Sequence, residues 1–585
     1  MPKRHWKLNS DSNAVHAIGN GRILVYEKGP QIFQILSYPL SANSFGELSV
    51  ENIDYCESER IDGTDIFEHK IGNGTIMYDL ADSATNCFVR KIKTDSPQTL
   101  KLNIDRSYIA NGTQYIKQKG SVMFFCYISP SAELSRSFGT SGNIEVHKIN
   151  DYEWEFVCQK GVSYIYFADS EQSIENQKQI DFEVSFKRTS EFWQEYLSNL
   201  NNIPESIKPL CESVAVMIKA QQSEDGGVLA GYPYHLAYIR DQYGTARGLL
   251  KLGLFGSVKD ILKYYLAIFN EHGALHNAQS LGVHDVFHIH ENDAAEITGY
   301  VALMPFEVYE ADGDADFLNQ LLPIVRWAID SQISLLKNNM MPFNGDETYI
   351  AGHFLPRSCM YDGSMEATML LAEDIKRYQK YTNSFEYNSV LEGIEKTFCD
   401  NFIKDGNLIT NNLTREAYGT YPAKRFGVCE GCEGYFGRIN KTDTHRYICP
   451  NCEQSSNIPP KREEKNFSLA SSLLTSVYVG STLLPTDILY AKLDELVEQY
   501  HKTGVLPSGC ANGECVGYDY GFLLYAATVL KHPSAHEFYK IALDSADEIG
   551  VWSEYYKNGV PYNTRCRPWE SAINIEAILK YLESF

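Results

Sequence analysis

The chain has no run of eighteen or more apolar residues, and its basic start, MPKRHWKLNSDSNAV, is followed by no apolar core. Neither a membrane span nor a signal peptide is therefore expected, and the expected compartment is the cytoplasm. Positive charge is scarce: 52 Lys and Arg stand against 75 Asp and Glu, a net charge of −23. Nonspecific nucleic-acid binding needs clustered cations, so that class of partner is excluded, and the acidity serves solubility. A disulfide framework is missing too. Most of the 14 cysteines are scattered singly through apolar runs, as at Cys87, Cys126 and Cys158, and read as buried thiols.

What is present is length and aromatic surface. At 585 residues the chain exceeds one ordinary core. Aromatics make up 12%, with 39 Tyr, a composition suited to flat, polyhydroxylated ligands such as sugars. From about Gly21 to Asp181 short alternating runs such as RILVYEK, QIFQILSY and SVMFFCYI are separated by Gly, Asn, Asp and Ser. That spacing predicts an antiparallel β-sandwich or open barrel over residues 1–185. The pattern then turns helical, and residues 186–204 form a helical linker ending at Pro204. Helical periodicity dominates residues 205–585, with twelve candidate helices, the number that a closed (α/α) barrel of six hairpins requires. The expected fold is thus a multidomain β + α chain, sandwich first and barrel second.

The loops entering the even-numbered barrel helices are long and chemically rich: GYPYHLAYIRDQYG, HNAQSLGVHDVFHIHENDAAE, MPFNGDETYIAGHFLPRSCMYDGSMEA, SGCANGECVGYDYG and VWSEYYKNGVPYNTRCRPWE. If those helices form the inner ring, the loops gather at one mouth. The third loop sets Asp346 beside Glu347 among aromatic neighbours that would raise a carboxyl pKa. Inverting glycoside hydrolysis needs a protonated carboxyl and an ionised one roughly 6.5 to 9.5 Å apart across a sugar ring. Adjacent residues cannot straddle a ring, so the partner must come from another loop. Arg240 and Asp241 offer planar donors and an acceptor for vicinal hydroxyls, or else an ion pair at a helix start. Glu514 is a second candidate base, Glu570 reads as a dipole partner in a first helical turn, and His284, His288 and His290 lack a spacing that fits metal ligation.

Tyr238-Ile239-Arg240-Asp241, Glu291-Asn292-Asp293-Ala294, Asp346-Glu347, and Trp552-Ser553-Glu554-Tyr555 with Arg565 and Pro568-Trp569-Glu570 resemble, in order and spacing, the inverting glucoamylases of glycoside hydrolase family 15, among the six-hairpin glycosidases. The likeness covers about residues 205–585, and prokaryotic members of that family carry an N-terminal β-sandwich. It implies Glu347 as general acid and Glu554 as general base. It also implies a sugar site around Arg240, Asp241, Asn292, Asp293, Asp346, Tyr238, Trp552 and Arg565. The activity implied is exo-acting release of terminal glucose from a short α-glucoside, a maltooligosaccharide, isomaltooligosaccharide or trehalose-like disaccharide, with no organic cofactor. Asp346 stands where the family has Trp, so acid and helper are open to exchange. Gly-Asp-Glu-Thr-Tyr also resembles related disaccharide phosphorylases, in which phosphate replaces water.

Residues 428–453, VCEGCEGYFGRINKTDTHRYICPNCE, carry Cys429, Cys432, Cys449 and Cys452. Two CxxC knuckles at this separation predict a zinc ribbon with a structural, closed tetrahedral site. Its expected role is to pin a loop near the mouth or to make a subunit contact in a homo-oligomer. A non-catalytic zinc-ribbon scaffold is the competing reading, opposed by the scarcity of basic residues. Cys510 and Cys515 are expected to be free thiols.

Overall fold

The structure is a computed structural model that describes the chain apart from residues 1–6, 10–11, 13, 130–131, 284–297, 343–361, 416–426, 429–434, 437, 440–446, 449–454, 457–467, 469, 506–513, 563 and 585. Its first part is a single 14-stranded antiparallel sheet. In chain order the strands are β1 (Lys7–Asn9), β2 (His16–Gly19), β3 (Ile23–Lys28), β4 (Gln31–Ser37), β5 (Gly46–Val50), β6 (Cys56–Arg60), β7 (Phe67–Ile71), β8 (Thr75–Asp82), β9 (Cys87–Thr94), β10 (Gln98–Ile104), β11 (Gln114–Gln118), β12 (Ser121–Ser129), β13 (Ala132–Asn150) and β14 (Glu153–Ala168). The expected sandwich is therefore one continuous sheet folded over itself. The long strand β14 makes the fold: its first half pairs with β10 and its second half with β9. The β13–β14 ladder slips beside Gly142, whose φ is +83° and where a Cβ would fall 2.4 Å from the Val162 carbonyl oxygen.

Strand β3 shows why this sheet needs a partner. Ile23 and Val25 point into the space between the two layers, while Leu24 and Tyr26 join the core of the helical part. A strand apolar on both faces must be covered on both. Helices α1 (Arg106–Ala110), α2 (Glu171–Lys178) and α3 (Phe182–Leu197) complete this region. Asp181 caps α3 by accepting from the Glu183 amide, and its burial of Phe182, Thr189 and Trp193 fits a helix lying on the sheet.

Among the described residues twelve helices follow: α4 (Lys208–Ala220), α5 (Ile239–Leu252), α6 (Phe255–His272), α7 (Thr298–Asp312), α8 (Ala315–Leu335), α9 (Met365–Thr382), α10 (Asn388–Phe402), α11 (Ala470–Tyr478), α12 (Thr486–Thr503), α13 (Tyr518–Val529), α14 (Ala535–Ser545) and α15 (Pro568–Ser584). The odd-numbered helices α5 to α15 each pack on the next, and α15 returns to α5, closing an inner ring. Both α13 and α15 are buried on nearly every side, as a ring enclosed by outer helices demands. Close approach of α5 and α15 depends on Gly244, where a Cβ would fall 1.5 Å from the Trp569 ring.

Sheet and barrel share one core. Tyr26 donates to Gln221 Oε1 at 2.6 Å, Arg60 to Ser213 Oγ at 2.8 Å, and Phe33 meets Tyr232 edge-on with centroids 4.8 Å apart. The Cys566 thiol donates to the Val15 carbonyl. The sheet thus braces the loops that precede α5 and α15. In the insert, Gly427–Val428 pairs with Tyr435–Phe436, and Arg438–Ile439, Tyr447–Ile448 and Ser455–Ser456 form a three-stranded sheet. The ribbon cysteines Cys429, Cys432, Cys449 and Cys452 lie outside the described residues. No helix among the described residues is long and apolar enough to cross a membrane.

Candidate active site

Short strands fix the segments that lead into the inner helices. Ala237–Tyr238 pairs with Ala278–Gln279 ahead of α5, and Gly363–Ser364 lies between Met341–Pro342 and Asn411–Asn412 ahead of α9. Glu514–Val516, Tyr555–Lys557 and Val560–Tyr562 form a third sheet ahead of α13 and α15. Four inner helices then carry a buried acid in the first turn: Asp241, Glu366, Asp519 and Glu570. Backbone N–H groups and the helix dipole favour negative charge at this end. The mouth of the barrel is consequently an acidic ring.

Arg567 sits in this ring, 4% exposed at its side chain. Its Nη2 donates to Asp241 Oδ1 at 3.0 Å and to Glu570 Oε1 at 3.2 Å, and its Nε donates to Glu570 Oε2 at 3.0 Å. The guanidinium also lies 4.9 Å from the Tyr234 ring centre. Burial works against its charge, but Glu570, Glu554 and Asp241 outweigh that and hold its pKa well above the ordinary value. Glu570 answers in the opposite sense. Burial, against the pull of Arg567 and with the negative charges of Glu554 and Asp241, pushes its carboxyl up to about 7.

Glu554 belongs to the same electrostatic group. Its backbone carbonyl accepts from the Gly517 amide at 2.7 Å, which fixes the residue against the start of α13. Its Oε2 is buried without a hydrogen-bond partner among the described residues. A buried carboxylate oxygen left unpaired beside three other charges is costly unless a ligand or water completes it. A buried, unpartnered carboxylate oxygen of this kind marks a candidate functional group.

The other expected site residues divide. Arg240 lies over Tyr518 at 5.7 Å, and Tyr238 meets Tyr234 edge-on, so both stand at the mouth with Asp241. Asp241 is not an N-cap: Tyr238 holds that position, and the aspartate is held by Arg567. Two further expected sugar contacts are held by hydrogen bonds inside the protein. Trp552 is fully buried, its indole donating to the Ala542 carbonyl at 3.1 Å and Ser545 Oγ at 2.9 Å. Arg565 donates to Ser553 Oγ at 2.9 Å and the Pro561 carbonyl at 2.6 Å, 6% exposed. Both brace the segment that carries Glu554. Glu514 faces Lys557 across its ladder, 3.6 Å away, instead of the ring of acids. Cys515 is a buried thiol outside any disulfide, beside Tyr520 Oη. Asn292, Asp293, Asp346, Glu347, His284, His288, His290 and Cys510 lie outside the described residues.

Sequence reasoning missed Arg567 and Glu366. Arg567 was legible as a cation three residues before Glu570 at a helix start, a spacing that brings the two side chains together. Glu366, which accepts from Tyr300 Oη at 2.5 Å, gave no signal beyond its place in a first turn.

No known family model matches this sequence, and no curated protein is similar to it at sequence level. Solved structures do share its fold. A bacterial glucoamylase complexed with acarbose superposes with a TM-score of 0.63 at 13% identity, over 99% of this chain and 94% of its own. A family GH92 α-mannosidase from Bacteroides thetaiotaomicron superposes with a TM-score of 0.52 at 9% identity, over 96% of this chain and 81% of its own. The sheet and the helical barrel together are thus an architecture that this chain has in common with glycosidases.

Proposed function

We propose that the protein is an inverting, exo-acting glycoside hydrolase that releases a terminal glucose from short α-glucosides in the cytoplasm. The observation that supports this best is Glu554: a carboxylate at the mouth of the barrel, with one buried oxygen unpartnered, next to the Asp241–Arg567–Glu570 group. Glu554 is the general base, taking a proton from water. Glu347, in the segment that precedes α9 in the sequence, is the general acid that protonates the leaving oxygen, with Asp346 next to it in the chain. Asp241 and Arg240, with Tyr238, bind hydroxyls of the terminal sugar, joined by Asn292 and Asp293. Arg567 orients Asp241 through the Nη2–Oδ1 contact. Cys429, Cys432, Cys449 and Cys452 hold a structural zinc ion apart from the chemistry. The fold shared with the glucoamylase is consistent with this reading, at the level of architecture.

The test is hydrolysis of a panel of α-glucosides by wild type, Glu554→Gln and Glu347→Gln. A positioned base contributes about 10²- to 10⁴-fold, so each variant should lose activity in that range while keeping its fold. Wild-type turnover in both refutes the assignment. Product anomer by NMR tests inversion, and an absolute requirement for phosphate would identify a phosphorylase instead.

A further inference from the structure

Between the two layers of the folded sheet, five ionisable residues take positions that the alternation of the strands reserves for the core. His16 lies two residues from Ile18, and Glu27 two from Val25. His69 falls between Phe67 and Ile71, Asp79 between Met77 and Ala81, and Arg90 between Phe88 and Ile92; every one of those neighbours is core. None of the five is more than 2% exposed. Burial of such groups is expensive unless each charge is matched. Arg90 and Asp79 match one another, with Nε to Oδ1 at 2.8 Å and Nη2 to Oδ2 at 2.5 Å. Glu27 has no such dedicated partner: Arg90 Nη2 is 3.6 Å from its Oε1, beyond hydrogen-bond distance.

Glu27 Oε2 instead faces two imidazole nitrogens, His16 Nε2 at 3.1 Å and His69 Nε2 at 3.4 Å. One ligand atom from each of the three residues lies within 4.8 Å of the others. Around an ion held at zinc-like distances of about 2.0–2.1 Å, the edge of a tetrahedron is about 3.3 Å. The outer groups fit as well. His69 Nδ1 is 2.7 Å from Ser58 Oγ, an outer contact that orients the ring; its Nε2 is also 3.0 Å from Asp79 Oδ2, so an ion would take that nitrogen over from the Asp79–Arg90 pair; and His16 stacks on Phe67 with centroids 3.7 Å apart. His16 and Glu27 are direct cross-strand partners on β2 and β3, while His69 comes from β7.

We propose that His16, Glu27 and His69 bind a divalent transition-metal ion, zinc being the best match to two imidazoles and a carboxylate, and that the ion ties β2 and β3 to β7 across the folded sheet. The site uses none of the ribbon cysteines and none of the acids of the barrel mouth, and the proposal stands or falls independently of the glycosidase reading. The competing arrangement is a shared proton in place of the ion.

Metal content per chain separates the two. The purified full-length protein should lose one equivalent of zinc on His69→Gln and on Glu27→Gln, and Ser58→Ala should weaken zinc binding about 10- to 100-fold without removing a ligand. Equal zinc content in wild type and both variants overturns the proposal. Where the variants fail to fold, wild type decides alone: cobalt reconstitution must give a component without thiolate-to-metal charge transfer, and a spectrum accounted for wholly by thiolate ligation, or no cobalt uptake, refutes it.

Discussion

Replacing Glu570 by Gln should change how stability depends on pH, with a sign set by burial. In the folded protein the carboxyl titrates at about 7 instead of its ordinary 4.5. Between those two values the folded chain holds a proton that the unfolded chain releases, so stability falls as pH rises through the window. The proton's contribution is complete below the unfolded value and lost above the folded one. The displacement corresponds to about 3 kcal/mol. Glutamine cannot titrate, so the variant lacks this term. The stability of Glu570→Gln relative to wild type should therefore improve by about 3 kcal/mol between about pH 4.5 and about pH 8. Urea midpoints at matched pH, multiplied by the slope, measure the difference. Parallel pH profiles for the two proteins would refute the argument, because they would mean that Glu570 is already ionised throughout or that Arg567 cancels its burial completely.

Removing the other half of the pair, in Arg567→Met, leaves two buried carboxylates without their cation and should cost about 3–5 kcal/mol, read as a lowered urea midpoint at neutral pH and less so near pH 5, where Glu570 is protonated. Gly244→Ala should destabilise by at least about 1–3 kcal/mol, since its Cβ enters the Trp569 ring; an unchanged thermal midpoint would contradict the tight α5–α15 contact. Cys429→Ser with Cys449→Ser should remove the ribbon's zinc equivalent and leave kcat for the α-glucosides within about threefold, as a site without an open position supplies no chemistry.

The twelve barrel helices were legible because long amphipathic or fully apolar segments carry their period in the sequence, and the inner ring could be read from which helices follow chemically rich loops. Strands of two residues, such as Ala237–Tyr238 and Gly363–Ser364, carry no such period, yet they aim the site. An aromatic residue in a mouth loop suggests a sugar platform, but Trp552 shows how little one residue type says about direction: its single indole N–H faces the end of α14. Arg567, legible from its spacing to Glu570, was passed over for Arg565, the arginine that the motif made conspicuous. His16, Glu27 and His69 escaped notice because they meet only after the sheet folds over itself.

The closed inner ring has a consequence for biosynthesis. The pair Asp241–Arg567 joins residues 326 apart in the chain, and α15, which seals the ring against both α5 and α13, is the last barrel helix to leave the ribosome. Contacts of such long range cannot form while the chain is being made, whereas the folded sheet and α3 precede the barrel entirely. The sheet can therefore be a finished wall, with Leu24 and Tyr26 exposed along one face, onto which the first barrel helices collapse. The acids of the mouth come together only at the end, in a single late docking step, so a nascent chain arrested anywhere before Arg567 would hold every earlier site residue and still lack the cation that assembles them.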